Sequence, residues 1–149
     1  MSTLLQSTLF GLPLFAGLEE SGYALLAQGA RQSTLRSGHV IIREGEAGRQ
    51  LFVIQRGTVR VDRETPHGEV ELNVLKEGTF FGEMSILEEL PRSASVRAIT
   101  DVSLVMVSRG QFELLSERFP AQFARMVTNL ARDLSFRLRL LGDEFARQH

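Results

Sequence analysis

Hydrophobic residues change their spacing twice along the chain, and the two changes divide it into three zones. In residues 1–32, apolar side chains recur at the spacing of amphipathic helices, and Pro13 and Gly17 break the pattern into short pieces. In residues 34–108, apolar and polar residues alternate within short runs. In residues 108–149, the helical spacing returns. The pattern predicts helices, then strands, then helices.

Glycines at regular intervals separate the alternating runs of the middle zone. The runs are HVIIRE, QLFVIQ, TVRVDR, EVELNVL, SVRAIT and VSLVMV. Short alternating runs bounded by glycine are typical of strands joined by turns, and many such strands favour a β-roll or barrel. We therefore predict an α+β fold, in which N-terminal helices, a hinge helix and a long C-terminal helix flank an antiparallel β-roll (a double-stranded jelly roll).

Two helices are predicted after the last strand. Ser108 and Gln111 have the spacing of a capping box, and Pro120 suits the first turn of a second helix that extends to about Ala146. Apolar residues of this second helix alternate between three- and four-residue spacing. A stripe of this length is typical of coiled coils, so we expect a homodimer through the C-terminal helix. The alternative is a helix that packs only on its own β-roll.

Length and composition indicate one soluble domain without cysteine chemistry. The 149 residues fit a single domain, 1–149. The chain has 17 basic and 18 acidic residues and therefore no basic excess, so we expect no nucleic-acid partner. The lack of cysteine excludes disulfides, thiolate metal sites and a cysteine nucleophile. The chain has no signal-peptide pattern and no apolar run of ~20 residues, so we expect a cytoplasmic protein without membrane contact.

Candidate binding chemistry is concentrated in FFGEMSILEELPRSASVRA, residues 80–98. Gly82 permits close approach of the backbone to a ligand, and a short helix starting there would present free N–H groups to an anion. Glu83 accepts hydrogen bonds from hydroxyl groups, whereas Arg92 supplies a permanent charge and paired donors for phosphate oxygens. Ser93 adds a hydroxyl donor, and the small side chain of Ala94 leaves room for the ligand. These residue types predict a pocket for a small cyclic phosphate ester.

The same stretch resembles the phosphate-binding cassette of cyclic nucleotide-binding domains. Such domains occur in cAMP receptor transcription factors, in regulatory subunits of cAMP-dependent protein kinase and in cyclic-nucleotide-regulated channels. Their pattern is FGE, two or three small or apolar residues, a spacer, then PR with S, T or A, and the stretch matches it throughout. LPLFAGL resembles the family's N-terminal helical region, GRQLFVIQRGTVRV its central hairpin, and VSLVMVSRGQFELL its last strand and hinge helix. The resemblance implies a β-roll that holds cAMP or cGMP.

The resemblance also implies a role for each cassette residue. Glu83 would bind the ribose 2′-hydroxyl, and Arg92 and Ser93 would bind the cyclic phosphate. Backbone at four further positions would line the phosphate: Gly82, Met84, Ser85 and Ala94. Weaker candidates for the walls around the base are Val61, Leu72 and Leu75. On the last helix, Arg137 or Arg139 would cap the purine by stacking on it.

Two details of the cassette indicate which members of the family it resembles most and which nucleotide it favours. The number of residues between Glu83 and Arg92 resembles that in kinase and channel domains more than that in bacterial transcription factors, where one extra residue is usual. Ser or Ala after the arginine tends to accompany cAMP, whereas Thr tends to accompany cGMP, so Ser93 favours cAMP.

The expected protein is a sensor without a cofactor. Its hinge and C-terminal helices would close over the nucleotide and change a dimer surface or a surface for an unknown effector.

Three other functions compete with this interpretation. A cupin-type metal enzyme would need clustered histidines, and His39, His67 and His149 are scattered, so no enzyme is expected. A transcription regulator would need a helix-turn-helix, and the chain ends after the long helix. It would then be the sensor half of a truncated regulator, although the clean end of the helix favours a stand-alone domain. A degenerate β-roll would act only as a protein-interaction module, but such domains usually lack the glutamate or arginine present here.

Overall fold

The computed structural model describes residue 9 and residues 11–148. The α-helices with both ends in this part of the chain are α1 (Glu20–Gln28), α2 (Arg109–Arg118) and α3 (Pro120–Gln148). Two 3₁₀ turns occupy Pro13–Phe15 and Glu83–Ile86. The strands are β1 (Arg31–Leu35), β2 (Val40–Ile42), β3 (Gln50–Arg56), β4 (Thr58–Thr65), β5 (Gly68–Lys76), β6 (Phe80–Phe81), β7 (Ser95–Ala98) and β8 (Val102–Ser108).

The eight strands of the described residues form two four-stranded antiparallel sheets. One sheet has the order β1-β8-β3-β6, and the other has the order β2-β7-β4-β5. Neighbours in each sheet come mostly from distant parts of the sequence, and only β4 and β5 form a simple hairpin pair. This arrangement confirms the predicted β-roll with helices before and after it.

Two hydrophobic clusters hold the molecule together. Between the sheets lie aromatic and aliphatic side chains that include Phe52, Val59 and Leu104. The outer face of the first sheet packs against the helices through a larger cluster that includes Phe112 and Met126, both fully buried. Burial of such side chains is worth roughly 1.5–3 kcal/mol each, so the helices are integral to the fold.

The boundary between the first two zones differs from the sequence prediction. Residues up to 32 were expected to be helical, but α1 ends at Gln28 and β1 begins at Arg31. Arg31 already pairs with Met106 of β8, and this long-range pairing overrides the local helical pattern. The parts of the helical prediction that concern residues 1–8 and 10, and the remark on His149, lie outside the described residues.

The predicted capping box is wrong, although the helix begins where it was expected. Ser108 precedes α2 in extended conformation, and its side chain makes no capping hydrogen bond. The amide of Gln111 instead donates to the carbonyl oxygen of Leu25, at 2.6 Å. A side chain at Gly29 would collide with Gln111. The Gln111 side chain therefore links α2 to α1 instead of capping the N-terminus of α2.

The long helix α3 has two halves in different environments. Its first half is anchored by the buried residues Met126 and Leu130, and Asn129 donates to the carbonyl oxygens of Leu14 and Ala16. Its second half carries large exposed apolar side chains: Phe136, Leu138, Leu140, Leu141 and Phe145. Across the described residues, none of the helices has the length and apolar character needed to span a bilayer.

Candidate functional site

A pocket of about 740 Å³ lies between the cassette, β4, β5 and α3. All seven cassette residues singled out from the sequence line it: Gly82, Glu83, Met84, Ser85, Arg92, Ser93 and Ala94. Of the weaker candidates, Val61, Leu75 and Arg137 also line it. The fold thus gathers into one cavity sequence-predicted residues that are up to 76 positions apart (Val61 to Arg137).

Two sequence candidates, Leu72 and Arg139, are not among the residues that line this pocket. The pairing of β4 with β5 shifts register after Val61, so that Val61 faces Asn73 and the next residue pairs with Glu71. Leu72 is skipped by this bulge, and its side chain is 55% exposed. Arg139 follows Arg137 by two positions on α3, and residues so spaced do not share a helix face.

The short helix predicted to start at Gly82 is a 3₁₀ turn, Glu83–Ile86. Gly82 begins it with φ +78°, a left-handed conformation that favours glycine. A Cβ atom at this position would lie 2.7 Å from the carbonyl oxygen of Gln50 and 2.9 Å from Nη1 of Arg92. The buried Ser85 donates its hydroxyl hydrogen back to the Gly82 carbonyl oxygen at 2.6 Å. Glycine therefore allows the turn and the arginine to lie side by side.

Arg92 lies along the pocket wall in a tightly defined position. Its Nη2 donates to the carbonyl oxygen of Gln50 at 2.9 Å, and its guanidinium carbon lies 5.9 Å from the centre of the Phe52 ring. Burial lowers the pKa of Arg92, while the carboxylates of Glu83 and Glu46 act in the opposite direction. A guanidinium carries five N–H donors, so the bond to Gln50 fixes the group and leaves donors for an anion.

The loop between β2 and β3 holds the backbone around Arg92. The Arg92 amide donates to the Glu46 carbonyl oxygen at 2.6 Å, and the Gly45 amide donates to the Arg92 carbonyl oxygen at 2.8 Å. Next to them, a Cβ atom at Gly48 would lie 3.0 Å from the guanidinium. Sequence reasoning missed this support. The signal that was available is the pair of glycines in GEAG, residues 45–48.

Glu83 is held from the opposite side by the C-terminal helix. Its Oε1 accepts a hydrogen bond from Nη1 of Arg137 at 2.8 Å, and the Glu83 side chain is only 12% exposed. Nε of Arg137 lies 3.0 Å from Oδ2 of Asp133, one helical turn earlier. The Arg137 guanidinium also lies 5.7 Å from the centre of the Phe80 ring. Asp133 was missed from the sequence, although its i, i+4 spacing to Arg137 was visible.

The remainder of the pocket is divided into an apolar side and a polar side. Val61 and Leu75 on β4 and β5, with Ile42 and Val96 on the neighbouring strands, form the apolar side. The polar side is made by the cassette and by Arg137. Such a division suits a ligand that has a flat apolar part and a charged polar part, because apolar walls with a few placed polar groups are typical of small-molecule sites.

Comparison with known proteins gives a family match over more than half of the chain. The family model described as "Cyclic nucleotide-binding domain" matches residues 32–119. A cyclic nucleotide-gated potassium channel from Rhizobium etli is 39% identical over 109 residues, which are 73% of this chain and 29% of the channel. The cyclic AMP receptor protein of Thermus thermophilus is 33% identical over 141 residues, which are 92% of this chain and 65% of that protein.

A solved structure extends the similarity to three dimensions. The regulatory domain of Toxoplasma gondii PKA, crystallised with cAMP, superposes with a TM-score of 0.69 at 25% identity. The match covers 74% of this chain and 42% of that one. This chain therefore spans between about three tenths and two thirds of the proteins it is compared with here.

Proposed function

The chain belongs to the cyclic nucleotide-binding domain family, and on that premise we propose that it binds cAMP and transmits the binding through its C-terminal helices. The observation that carries the proposal is that Arg92 and Glu83 line one pocket, whose lining also includes apolar residues of the β-roll and Arg137 of α3. A permanent cation and a carboxylate are the groups that a cyclic phosphate and a ribose hydroxyl would require.

In this proposal the nucleotide is oriented by three contacts. Arg92 and Ser93 bind the cyclic phosphate, with backbone of the cassette around it, and Glu83 accepts a hydrogen bond from the ribose 2′-hydroxyl. Val61 and Leu75 pack against the base. The nucleotide is then a regulatory ligand rather than a cofactor, and the domain regulates an effector rather than catalysing a reaction.

The choice of cAMP over cGMP rests on Ser93 and on one relative. Ser at this position tends to accompany cAMP in the family that the cassette resembles. The relative from Thermus thermophilus, which matches most of this chain, is named a cyclic AMP receptor protein. Both observations favour adenine as the base, and a direct comparison of the two nucleotides tests the choice.

Transmission requires that the pocket and the C-terminal helix be connected. Arg137 supplies a direct link, because it belongs to α3 and bonds to Glu83 of the cassette. The first half of α3 is fixed by Asn129 and by buried side chains, so the second half is the part that can change position. We propose that its exposed apolar face pairs with a second copy of the chain in the cytoplasm, and that the ligand changes this surface.

Thermal unfolding with cAMP, cGMP and 5′-AMP side by side tests the proposal. Ligand at 100 times its dissociation constant stabilises the native state by about 2.7 kcal/mol, which corresponds to a rise in melting temperature of roughly 5–10 °C for a domain of this size. We expect this rise with cAMP, a smaller rise with cGMP at equal concentration, and none with 5′-AMP. Unchanged melting with all three nucleotides, in protein freed of carried-over ligand, would contradict the proposal.

A further inference from the structure

The carboxylate of Glu83 is oriented by a residue outside the cassette. Nη1 of Arg137 bonds to Oε1 of Glu83 at 2.8 Å, and Nε of Arg137 lies 3.0 Å from Oδ2 of Asp133. The carbon of the same guanidinium lies over the ring of Phe80, 5.7 Å from its centre, and Phe80 is 8% exposed. The arginine is thus held on three sides, by a carboxylate on its own helix, by an aromatic ring and by Glu83.

The purine cap suggested for Arg137 by the sequence stays a prediction. The contacts of Arg137 in the structure are those of two nitrogens with the carboxylates of Glu83 and Asp133, and of the guanidinium carbon with the Phe80 ring, 5.7 Å from its centre. The polar edge of Arg137 is turned to Glu83. The bond between Arg137 and Glu83 therefore affects recognition of the part of the ligand that Glu83 would bind.

Only one oxygen of Glu83 is engaged by Arg137. A carboxylate has two oxygens that accept hydrogen bonds, so the other oxygen remains for a hydroxyl group. A carboxylate bonded to a charged partner keeps a single orientation, because charge-assisted hydrogen bonds are stronger than neutral ones. Arg137 would thus present the other oxygen of Glu83 to a hydroxyl of the ligand in one fixed orientation.

We propose that Arg137, itself oriented by Asp133, is a positioning residue that makes the site selective for a cyclic nucleotide with a ribose 2′-hydroxyl. This inference rests on the proposed function and goes beyond it, because it assigns sugar recognition to a residue of α3. It also implies that recognition of the 2′-hydroxyl and the position of the C-terminal helix depend on one contact.

The test measures binding of cAMP and of 2′-deoxy-cAMP to the full chain, by titration calorimetry. In Arg137→Ala we expect the affinity for cAMP to fall about tenfold, the equivalent of one charge-assisted hydrogen bond. The affinity for 2′-deoxy-cAMP, which has no hydroxyl for Glu83, should change by less than about twofold. Arg137→Lys keeps the charge without the forked geometry. Its affinity for cAMP should therefore fall less than that of the alanine variant.

Two further variants separate positioning from a general effect on α3. Arg132→Ala removes an exposed arginine from the same helix and should leave both affinities unchanged. In a Glu83→Gln background, Arg137→Ala should weaken cAMP binding little further, because the effects of residues that act through one another are not additive. Melting temperatures without ligand show whether each variant keeps its fold.

The outcomes distinguish this inference from the proposed function. Equal losses for cAMP and 2′-deoxy-cAMP in Arg137→Ala would overturn the inference, because the arginine would then act on the base or the phosphate. Unchanged binding of both ligands in that variant would also overturn it, while leaving the proposed function intact. A wild-type chain that binds neither nucleotide would overturn both.

Discussion

Two side chains of opposite charge, Glu83 and Arg92, define the chemistry of the pocket at the scale of single residues. Each is fixed by a hydrogen bond to another part of the chain, Arg92 by the Gln50 carbonyl oxygen and Glu83 by Arg137. Neither side chain would hold its position without these partners, because long charged side chains lose rotamer freedom when they are ordered. The partners come from β3 and α3, so the site depends on the fold around the cassette.

Arg92→Ala should weaken cAMP binding by about 100-fold or more, because two charge-assisted hydrogen bonds to the phosphate would be lost at roughly tenfold each. Titration calorimetry measures the change. Arg49→Ala is the matched control, since Arg49 is 71% exposed and pairs with Glu89 at the surface. Near-native affinity in Arg92→Ala would remove Arg92 from the proposed site.

Gly82→Ala should destabilise the protein by about 1–3 kcal/mol, because an L side chain is strained at φ +78° and its Cβ would press on the Gln50 carbonyl oxygen. We expect the melting temperature to fall by about 2–4 °C for each kcal/mol. Gly142→Ala is the control: it lies in α3 with open space around it, and alanine there should stabilise the helix by about 0.5–1 kcal/mol. Equal stability of Gly82→Ala and the wild type would contradict the strain argument.

At the scale of secondary-structure elements, the proposed transmission of binding depends on helix α3. Its first half is part of the core through Met126 and Leu130, and its second half exposes a series of apolar side chains. Arg137 lies at the transition between the two halves. Three of these side chains, Leu138, Leu141 and Phe145, recur at three- and four-residue spacing on one face. An exposed apolar stripe of this kind is typical of an interaction surface, and its spacing suits a second helix of the same type.

The double variant Leu138→Arg, Leu141→Arg should convert the proposed dimer into a monomer, because charges would replace apolar contacts on the exposed stripe. Sedimentation velocity over a range of concentrations measures the change. Both side chains are more than 60% exposed, so the fold of the monomer and its melting temperature at low concentration should be retained. A wild-type chain that sediments as a monomer at every concentration, with and without cAMP, would contradict the dimer.

At the scale of the whole molecule, the pocket lies where the β-roll, the cassette and the long helix α3 meet. The first sheet and the helices share one hydrophobic cluster, and the two sheets share another. A ligand bound between the second sheet, the cassette and α3 would therefore contact parts that belong to different clusters. It can shift the arrangement of these parts only if it binds one arrangement more tightly than another.

Hydrogen exchange should show this difference along the chain. We expect slow amide exchange in β3, β8 and the first half of α3, and faster exchange in the second half of α3, because local stability follows buried apolar contacts. Saturating cAMP should slow exchange in the cassette and around Arg137. If cAMP protects the cassette and leaves α3 unchanged, the ligand does not act through the C-terminal helix.

The sequence by itself determined the class of fold and the cassette, because both depend on local patterns. Alternating runs between glycines predicted the strands, the apolar periodicity predicted α3, and the order of Gly82, Glu83 and Arg92 predicted the polar side of the pocket. These signals depend on residues that are close in the chain, where spacing alone places side chains on one face or in one turn.

Only the tertiary structure decided which distant residues support that cassette. The role of Gln111 at the α1–α2 contact, the loop at residues 45–48 behind Arg92 and the bond from Arg137 to Glu83 all join segments far apart in the sequence. Leu72 lies at a register shift between β4 and β5 and is exposed, and that register is a long-range feature. Such contacts depend on sheet register and helix packing, which are set by the whole core rather than by any local pattern.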